Sequence, residues 1–227
     1  GLKEMEYNGL PEKQGLYDPQ FEHDACGIGF IASIKGKTSH TIINQAIQIL
    51  KNLAHRGGVG SEPDTGDGAG ILIQMPHTFM KKVCKNDGIK LPKKGGYGVG
   101  MLFLSPDSDT REESLQRLTE IIASEGQTLL GIREVPVYEA CIGKSAREAM
   151  PHIVQVFIGK GSDSLDADSF ERKLYIIGKI AEKEIRKSGA DNYFYFASLS
   201  ARTIVYKGML TPEQVNEFYL DLKDVDM

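Results

Sequence analysis

The sequence predicts an α+β chain, with a layered αββα order at least as consistent with it as a doubly wound sheet. Three observations lead there. Short strand-like runs are interleaved singly with helical segments, without a strict βαβ rhythm. The helical segments carry apolar stripes at three- and four-residue spacing, as helices packed on a sheet do. The chain has 227 residues, 41% of them hydrophobic and 26% charged, which is ample for a buried core. Periodicity alone leaves the choice between these architectures open.

The elements follow in order. Gly27 to Ile34 (GIGFIASI) reads as a strand. Thr41 to Ala54 reads as a helix with Ile42, Ala46, Leu50 and Leu53 on one face. A glycine-rich stretch, HRGGVGSEPDTGDGAG, runs from His55 to Gly70 and leads into a strand at Ile71 to Met75. A polar helix from His77 to Lys85 and a strand at Gly98 to Ser105 come next. Thr110 to Ser124 is helical, with Leu115, Leu118 and Ile122 as its stripe. Thr128 to Val137 and His152 to Ile158 are strands, with Cys141 in the loop between them. The longest helix spans Asp166 to Lys187, carries Phe170, Leu174, Ile177 and Ala181, and is stopped by Gly189. Tyr193 to Ser198 and Thr203 to Leu210 are further strands. The segment Thr211-Pro212-Glu213-Gln214 then has the form of a capping box that starts a short helix.

Charge and composition exclude several function classes. There are 27 basic against 31 acidic side chains, a net charge of −4. That disfavours nucleic acid as a partner, because a duplex-binding surface carries a basic excess. No apolar run approaches the ~18 residues needed to span a bilayer, so no membrane partner is expected. Three cysteines, far apart and in no CxxC, fit neither a disulfide framework nor a metal cluster. A reducing, cytoplasmic setting is the expectation. Residues 1–25 stand apart, with six acids (Glu4, Glu6, Glu12, Asp18, Glu22, Asp24) against Lys3 and Lys13. They lack the apolar centre of a signal peptide, and their acids do not fit a mitochondrial transit peptide.

The cysteines offer the clearest chemistry. Cys84, in KKVCKND, reads as a surface thiol whose neighbouring ammonium groups could lower its pKa. Cys141, in EACIGKS, reads as a buried or loop cysteine. Cys26 follows Ala25 at the end of the acidic leader and opens a glycine-containing strand. Once the bond to Ala25 is cut, Cys26 would carry a free α-amine with an ordinary pKa of about 7.7–8.0, able to act as base for its own thiol. Alone, this pattern is matched by a core cysteine that begins a strand. Two nucleotide readings compete. Gly66, Gly68 and Gly70 could let amides approach an anion, but no Lys-Ser/Thr follows as a P-loop needs. GIGFIA matches GxGxxA by count, yet its glycines start the strand instead of following one.

Four strings taken together carry a resemblance: LYDPQFEHDACGIGFIA, NLAHRGGVGSEPDTGDGAGILIQMP, GYGVGMLFL and RTIVYKGMLTPEQ. In this order and spacing they resemble the amino-terminal glutaminase portion of the glutamate synthase large subunit, from about Leu16 to the end of the chain. The HRG segment resembles that of glutamine amidotransferases of the N-terminal-nucleophile type. The resemblance implies a four-layer αββα N-terminal-nucleophile hydrolase fold, incomplete at its C-terminal end. It makes residues 1–25 a propeptide, residues 26–227 the glutaminase part, and Cys26 the nucleophile. Arg56 and Gly57 become the residues beside the active centre, where a guanidinium can anchor the loop. The implied reaction is hydrolysis of L-glutamine through a cysteine thioester, with ammonia delivered to 2-oxoglutarate in the synthase domains of the same polypeptide. FMN and an iron–sulfur cluster are expected in that remainder and no cofactor in this chain, with a small subunit or ferredoxin as partner. The family's SRFST-type segment and Asn-Gly-Glu segment do not occur in these 227 residues. The expectation is therefore a fragment of a longer protein, inactive alone. The alternative is a non-catalytic glutaminase-like binding or regulatory module.

Overall fold

Tyr97–Leu104 (β2) and His152–Gly159 (β4) are almost uninterrupted apolar runs, and each is buried at seven of its eight positions. Strands of this kind need cover on both faces, and the computed structural model, which describes residues 27–33, 39–53, 66 and 68–227, provides it. The two strands pair antiparallel from Tyr97↔Gly159 to Leu104↔His152. Thr128–Glu134 (β3) flanks β4, and Tyr195–Ser200 (β5) flanks β2, giving the order β3-β4-β2-β5. Ala69–Gln74 (β1) and Thr203–Gly208 (β6) form a second, two-stranded antiparallel ladder. Every ladder between these strands is antiparallel, which removes the doubly wound alternative.

Alternation along β2 and β4 sends side chains to two different cores. Leu102, Leu104, Val154, Val156 and Ile158 meet two helices, Ser108–Ser124 (α3) and Ala167–Ala181 (α5). All four apolar positions of the α5 stripe, Phe170, Leu174, Ile177 and Ala181, are buried there. On the opposite face Tyr97, Val99, Met101, Ile153 and Phe157 meet Ile71 of β1 and Ile204 and Tyr206 of β6. That core also takes apolar residues from His40–Asn52 (α1), His77–Asn86 (α2) and Pro212–Phe218 (α6). Each such side chain contributes about 1.5–3 kcal/mol when fully removed from water.

Local signals fix the helix ends. Asp107 accepts from the Thr110 N–H (2.9 Å) and Asp166 from the Ser169 N–H (2.8 Å), capping α3 and α5. Thr211 and Gln214 form the reciprocal capping box of α6. The helix expected to reach Lys187 widens after Ala181 into a π-helical turn over Glu182–Arg186. It ends at Gly189, whose φ of +83° suits glycine. A short helix, Lys144–Glu148 (α4), and a 3-10 turn at Glu139–Cys141 fill the segment read as a loop around Cys141. None of the described helices is long and apolar enough to cross a membrane.

Two expectations need correction. Gly27 to Ser33, read as a strand, lies in no ladder and has no regular secondary structure. The buried face of α1 is centred on Ile43 and Ile47 instead of Ile42 and Leu53. The apolar arc of α1 is wide enough to permit either choice, and packing against β1 and α6 selects one.

Candidate active site

The sequence-derived candidates Cys26, Arg56 and Gly57, and the leader 1–25, lie outside the described residues. The chain is described again from Gly27, and near the HRG segment up to Leu53 and at Gly66. A Cβ placed on Gly27 would lie 3.1–3.4 Å from the Leu53 side chain, and one on Gly29 would collide with Ile49. The two glycines thus let this segment lie against the C-terminal half of α1. Leu53, two residues before His55, therefore packs against the residue that follows Cys26. Ile28 and Phe30 project outward and are 89% and 90% exposed.

The glycines of the TGDGAG string, Gly66, Gly68 and Gly70, serve close backbone packing. A Cβ on Gly66 would overlap the backbone of Leu210 and Thr211, and one on Gly70 would overlap Lys207 in the facing strand. Gly68 has a φ of +139°, which side chains avoid. These three glycines thereby fit against Lys207–Thr211, part of the YKGMLTPEQ string. The Tyr219 hydroxyl donates to the Lys207 carbonyl (2.7 Å), and Gln214 Nε2 donates to the Cys141 carbonyl (2.9 Å). The joint between β6 and α6 is fixed by these bonds.

Beside this joint lies an open groove of about 580 Å³ whose lining includes Gly70, Leu72, Phe103, Val205, Lys207 and Met209. Lys207 Nζ donates to the Tyr195 hydroxyl (2.6 Å) and sits 4.7 Å from the centre of that ring. The sequence reading missed this group, because a lysine in a strand gives no local sign of its partner.

Cys84 contradicts its reading as a surface thiol. It is fully buried beside Phe79 and Met80, while Lys81, Lys82 and Lys85 occupy the other side of α2. Burial pushes its thiol up to about 12, outweighing the lowering influence of Arg133. Cys141 is half-buried, with Sγ 3.0 Å from the Tyr138 carbonyl, and burial also raises its pKa. Neither thiol fits a catalytic nucleophile, which needs accessible thiolate.

A buried polar network went unread as well. Arg133 of β3 donates to both Asp221 carboxylate oxygens (2.9 and 2.8 Å) and to Gln155 of β4 (2.8 Å). Gln155 donates to the Tyr206 hydroxyl (3.0 Å), which donates to Asp221 (3.1 Å). Burial acts against the Arg133 charge but is outweighed by Asp221, so the guanidinium pKa rises. Burial and Asp221 together raise Tyr206. The signal was present in the sequence: Gln155 interrupts the apolar run HIVQVFIG, and a polar residue there needs a partner.

The family model of class-II glutamine amidotransferases matches residues 26–227. The chain belongs to the class-II glutamine amidotransferases. The match begins at Cys26, the residue singled out from the sequence. This amidotransferase chain is 55% identical over 220 residues to the glutamate synthase (NADPH) large chain of Bacillus subtilis, covering 97% of this chain and 14% of that protein. It is 40% identical over 222 residues to glutamate synthase (NADH) of Schizosaccharomyces pombe, covering 96% and 10%. Over 214 residues it is 40% identical to ferredoxin-dependent glutamate synthase 1 of Arabidopsis thaliana, covering 94% and 13%. The amidotransferase chain thus spans between 10% and 14% of the length of these relatives. The names of the three relatives give different electron donors: NADPH, NADH and ferredoxin.

Proposed function

We propose that this chain is the glutamine-hydrolysing part of a glutamate synthase, with Cys26 as nucleophile and residues 1–25 as a propeptide. The observation that carries the reading is the family match starting at Cys26. The contact between Gly27 and Leu53 supports it, since Cys26 is one residue before the first and Arg56 three residues after the second. In this reading, cleavage of the Ala25–Cys26 bond frees the α-amine of Cys26. The amine takes the thiol proton as sulfur attacks the carboxamide carbon of L-glutamine. The tetrahedral oxyanion collapses, the C–N bond breaks, and the proton passes to departing ammonia. Water then adds to the thioester, and glutamate leaves with the thiol restored. Arg56 and Gly57 hold the loop around the nucleophile.

The ammonia passes to 2-oxoglutarate in the synthase domains, where FMN and an iron–sulfur cluster belong, with a small subunit or ferredoxin supplying electrons. The described part of this chain does not fit such a cluster. Cys84 is sealed in the core, and no group of three or more metal-ligating side chains occurs among the described residues.

The four-layer αββα fold belongs to the same proposal. It is supported by helices α3 and α5 on one face of the four-stranded sheet and by β1, β6 and further helices on the other. Exposed Ile28, Phe30, Leu72 and Met209 are apolar positions that further segments of a longer polypeptide would cover. The isolated chain is accordingly expected to associate in light scattering and to turn over no glutamine.

The test is the intact mass of the full-length protein before and after treatment with 6-diazo-5-oxo-L-norleucine, a glutamine mimic that alkylates such thiols. The expected result is a mass lacking residues 1–25 with one adduct on Cys26. A retained leader with no adduct would overturn the reading. Cys26→Ser is expected to abolish glutamine-dependent synthesis while sparing synthesis from added ammonia.

A further inference from the structure

Within 14 residues, from Lys81 to Lys94, the chain carries six exposed lysines and a single acid, Asp87. Lys82 is turned aside, paired with Asp224 (2.7 Å) and Asp226 (2.5 Å). Asp87 faces the Arg133 Nε at 3.8 Å. That leaves Lys81, Lys85, Lys90, Lys93 and Lys94 without a carboxylate partner among the described residues, five such lysines gathered in one segment.

The segment that presents them is built firmly. The Ile89 N–H donates to the Cys84 carbonyl (2.7 Å), and the Ile89 side chain lies against Gly131 of β3. The Gly96 N–H closes a turn onto the Lys93 carbonyl (2.9 Å), and the Gly96 carbonyl accepts from the Lys160 N–H (3.1 Å). The two ends of the segment converge near His77. Its pKa is lowered first by burial and then by the charges of Lys81 and Lys94.

The rest of the charge is distributed in a complementary way. The leader's six acids and two lysines leave an excess of four negative charges, equal to the net charge of the whole chain, so residues 26–227 are neutral overall. We propose that the Lys81–Lys94 surface is the docking site for the chain's own acidic leader, through Glu4, Glu6, Glu12 and Asp18. Reach permits it. Gly27 lies at the C-terminal half of α1, and Lys82's partner Asp224 feels the charge of His40 at the other end of that helix. A 13-residue helix is ~20 Å long, and the leader can extend to ~80 Å. The docking is electrostatic and solvent-exposed, so it weakens as salt rises. It is independent of any catalytic role for Cys26.

The test uses the full-length protein in a Cys26→Ala background, so that the leader stays attached whether or not Cys26 is the nucleophile, and measures thermolysin cleavage at the apolar leader residues Leu10, Leu16 and Phe21. Two variants are compared with it at each salt concentration. One carries Lys→Gln at positions 81, 85, 90, 93 and 94, and the other carries Glu4→Gln, Glu6→Gln, Glu12→Gln and Asp18→Asn. Both are expected to lose the leader about tenfold faster at 20 mM salt and at an equal rate at 1 M, where the Debye length is only ~3 Å. The leader-acid variant changes no residue outside the leader, so its result stands even if the lysine variant is disturbed. Equal rates in all three proteins at low salt would overturn the proposal. So would carbodiimide cross-links, in an isotopically mixed sample, joining the leader of one chain to the lysines of another.

Discussion

The two faces of the four-stranded sheet solve the burial problem differently. Toward α3 and α5, the core is built from aliphatic and phenylalanine side chains, with one buried carboxylate at its margin, Asp191, which accepts from the Ser105 N–H and the Ser114 hydroxyl. Toward β1 and β6, the core encloses an arginine, an aspartate, a glutamine and a tyrosine, and its margin opens into the groove beside Leu72 and Met209. The first face is held by packing that tolerates graded change. The second is held by a satisfied polar network, which is sensitive to the loss of any one member. The described residues Gly27, which lies on α1, and Gly66, which lies on the β6–α6 joint, belong to the second face.

Asp221→Ala should break this comparison most severely. It removes the buried counter-ion of the Arg133 guanidinium, leaving only the exposed Asp87 at 3.8 Å, a loss of about 3–5 kcal/mol. The cost belongs to the orphaned charge and not to the value of the pair. Asp221→Leu combined with Arg133→Met is therefore expected to cost less than Asp221→Ala alone. Denaturant unfolding of these proteins together with the single variants Asp221→Leu and Arg133→Met checks this, and strictly additive losses would show that the network does not act as a unit. On the other face, Leu174→Ala removes a fully buried side chain of α5 and should cost about 2–5 kcal/mol. Its effect should add to that of Asp221→Ala, since the two residues belong to separate cores.

The difference between the faces also decides what could be read in the sequence. The stripe of α5, the Asp and Thr caps and the apolar strands are short-range patterns, and those elements appear where spacing puts them. Cys84 was misread because the charge of its neighbours in sequence says nothing about which side of a helix faces the core. The Arg133–Asp221 pair links residues 88 positions apart, a separation no local window spans. TGDGAG invited an anion-binding reading, and only its position against Leu210 and Thr211 shows what the glycines accommodate. The candidates Cys26, Arg56 and Gly57 rest on resemblance and family membership, because their positions lie outside the described residues.

A smaller effect sharpens the comparison at the helix starts. α6, on the polar face, begins with the Thr211–Gln214 box, while α3 and α5 begin with Asp107 and Asp166. Thr211→Ala should cost about 1 kcal/mol, at neutral and acid pH alike, because neither partner in the box titrates.

The aspartate caps should behave otherwise. Hydrogen bonds from the Thr110 N–H and the Ser169 N–H, their largest influences, hold Asp107 and Asp166 below the usual carboxylate range. A folded-state pKa below the unfolded one means that the unfolded chain binds more protons between the two values. The capping contribution is then complete above the unfolded value of about 3.9 and is lost as pH falls through the lower, folded value. Asparagine caps a helix about as well and does not titrate. The paired change Asp107→Asn and Asp166→Asn should leave the melting temperature at pH 7 nearly unchanged and flatten its decline between pH 4 and pH 2. An acid decline of unaltered steepness would assign it to carboxylates elsewhere. The α3–α5 face would then differ from its opposite only in packing, and not in its response to protons.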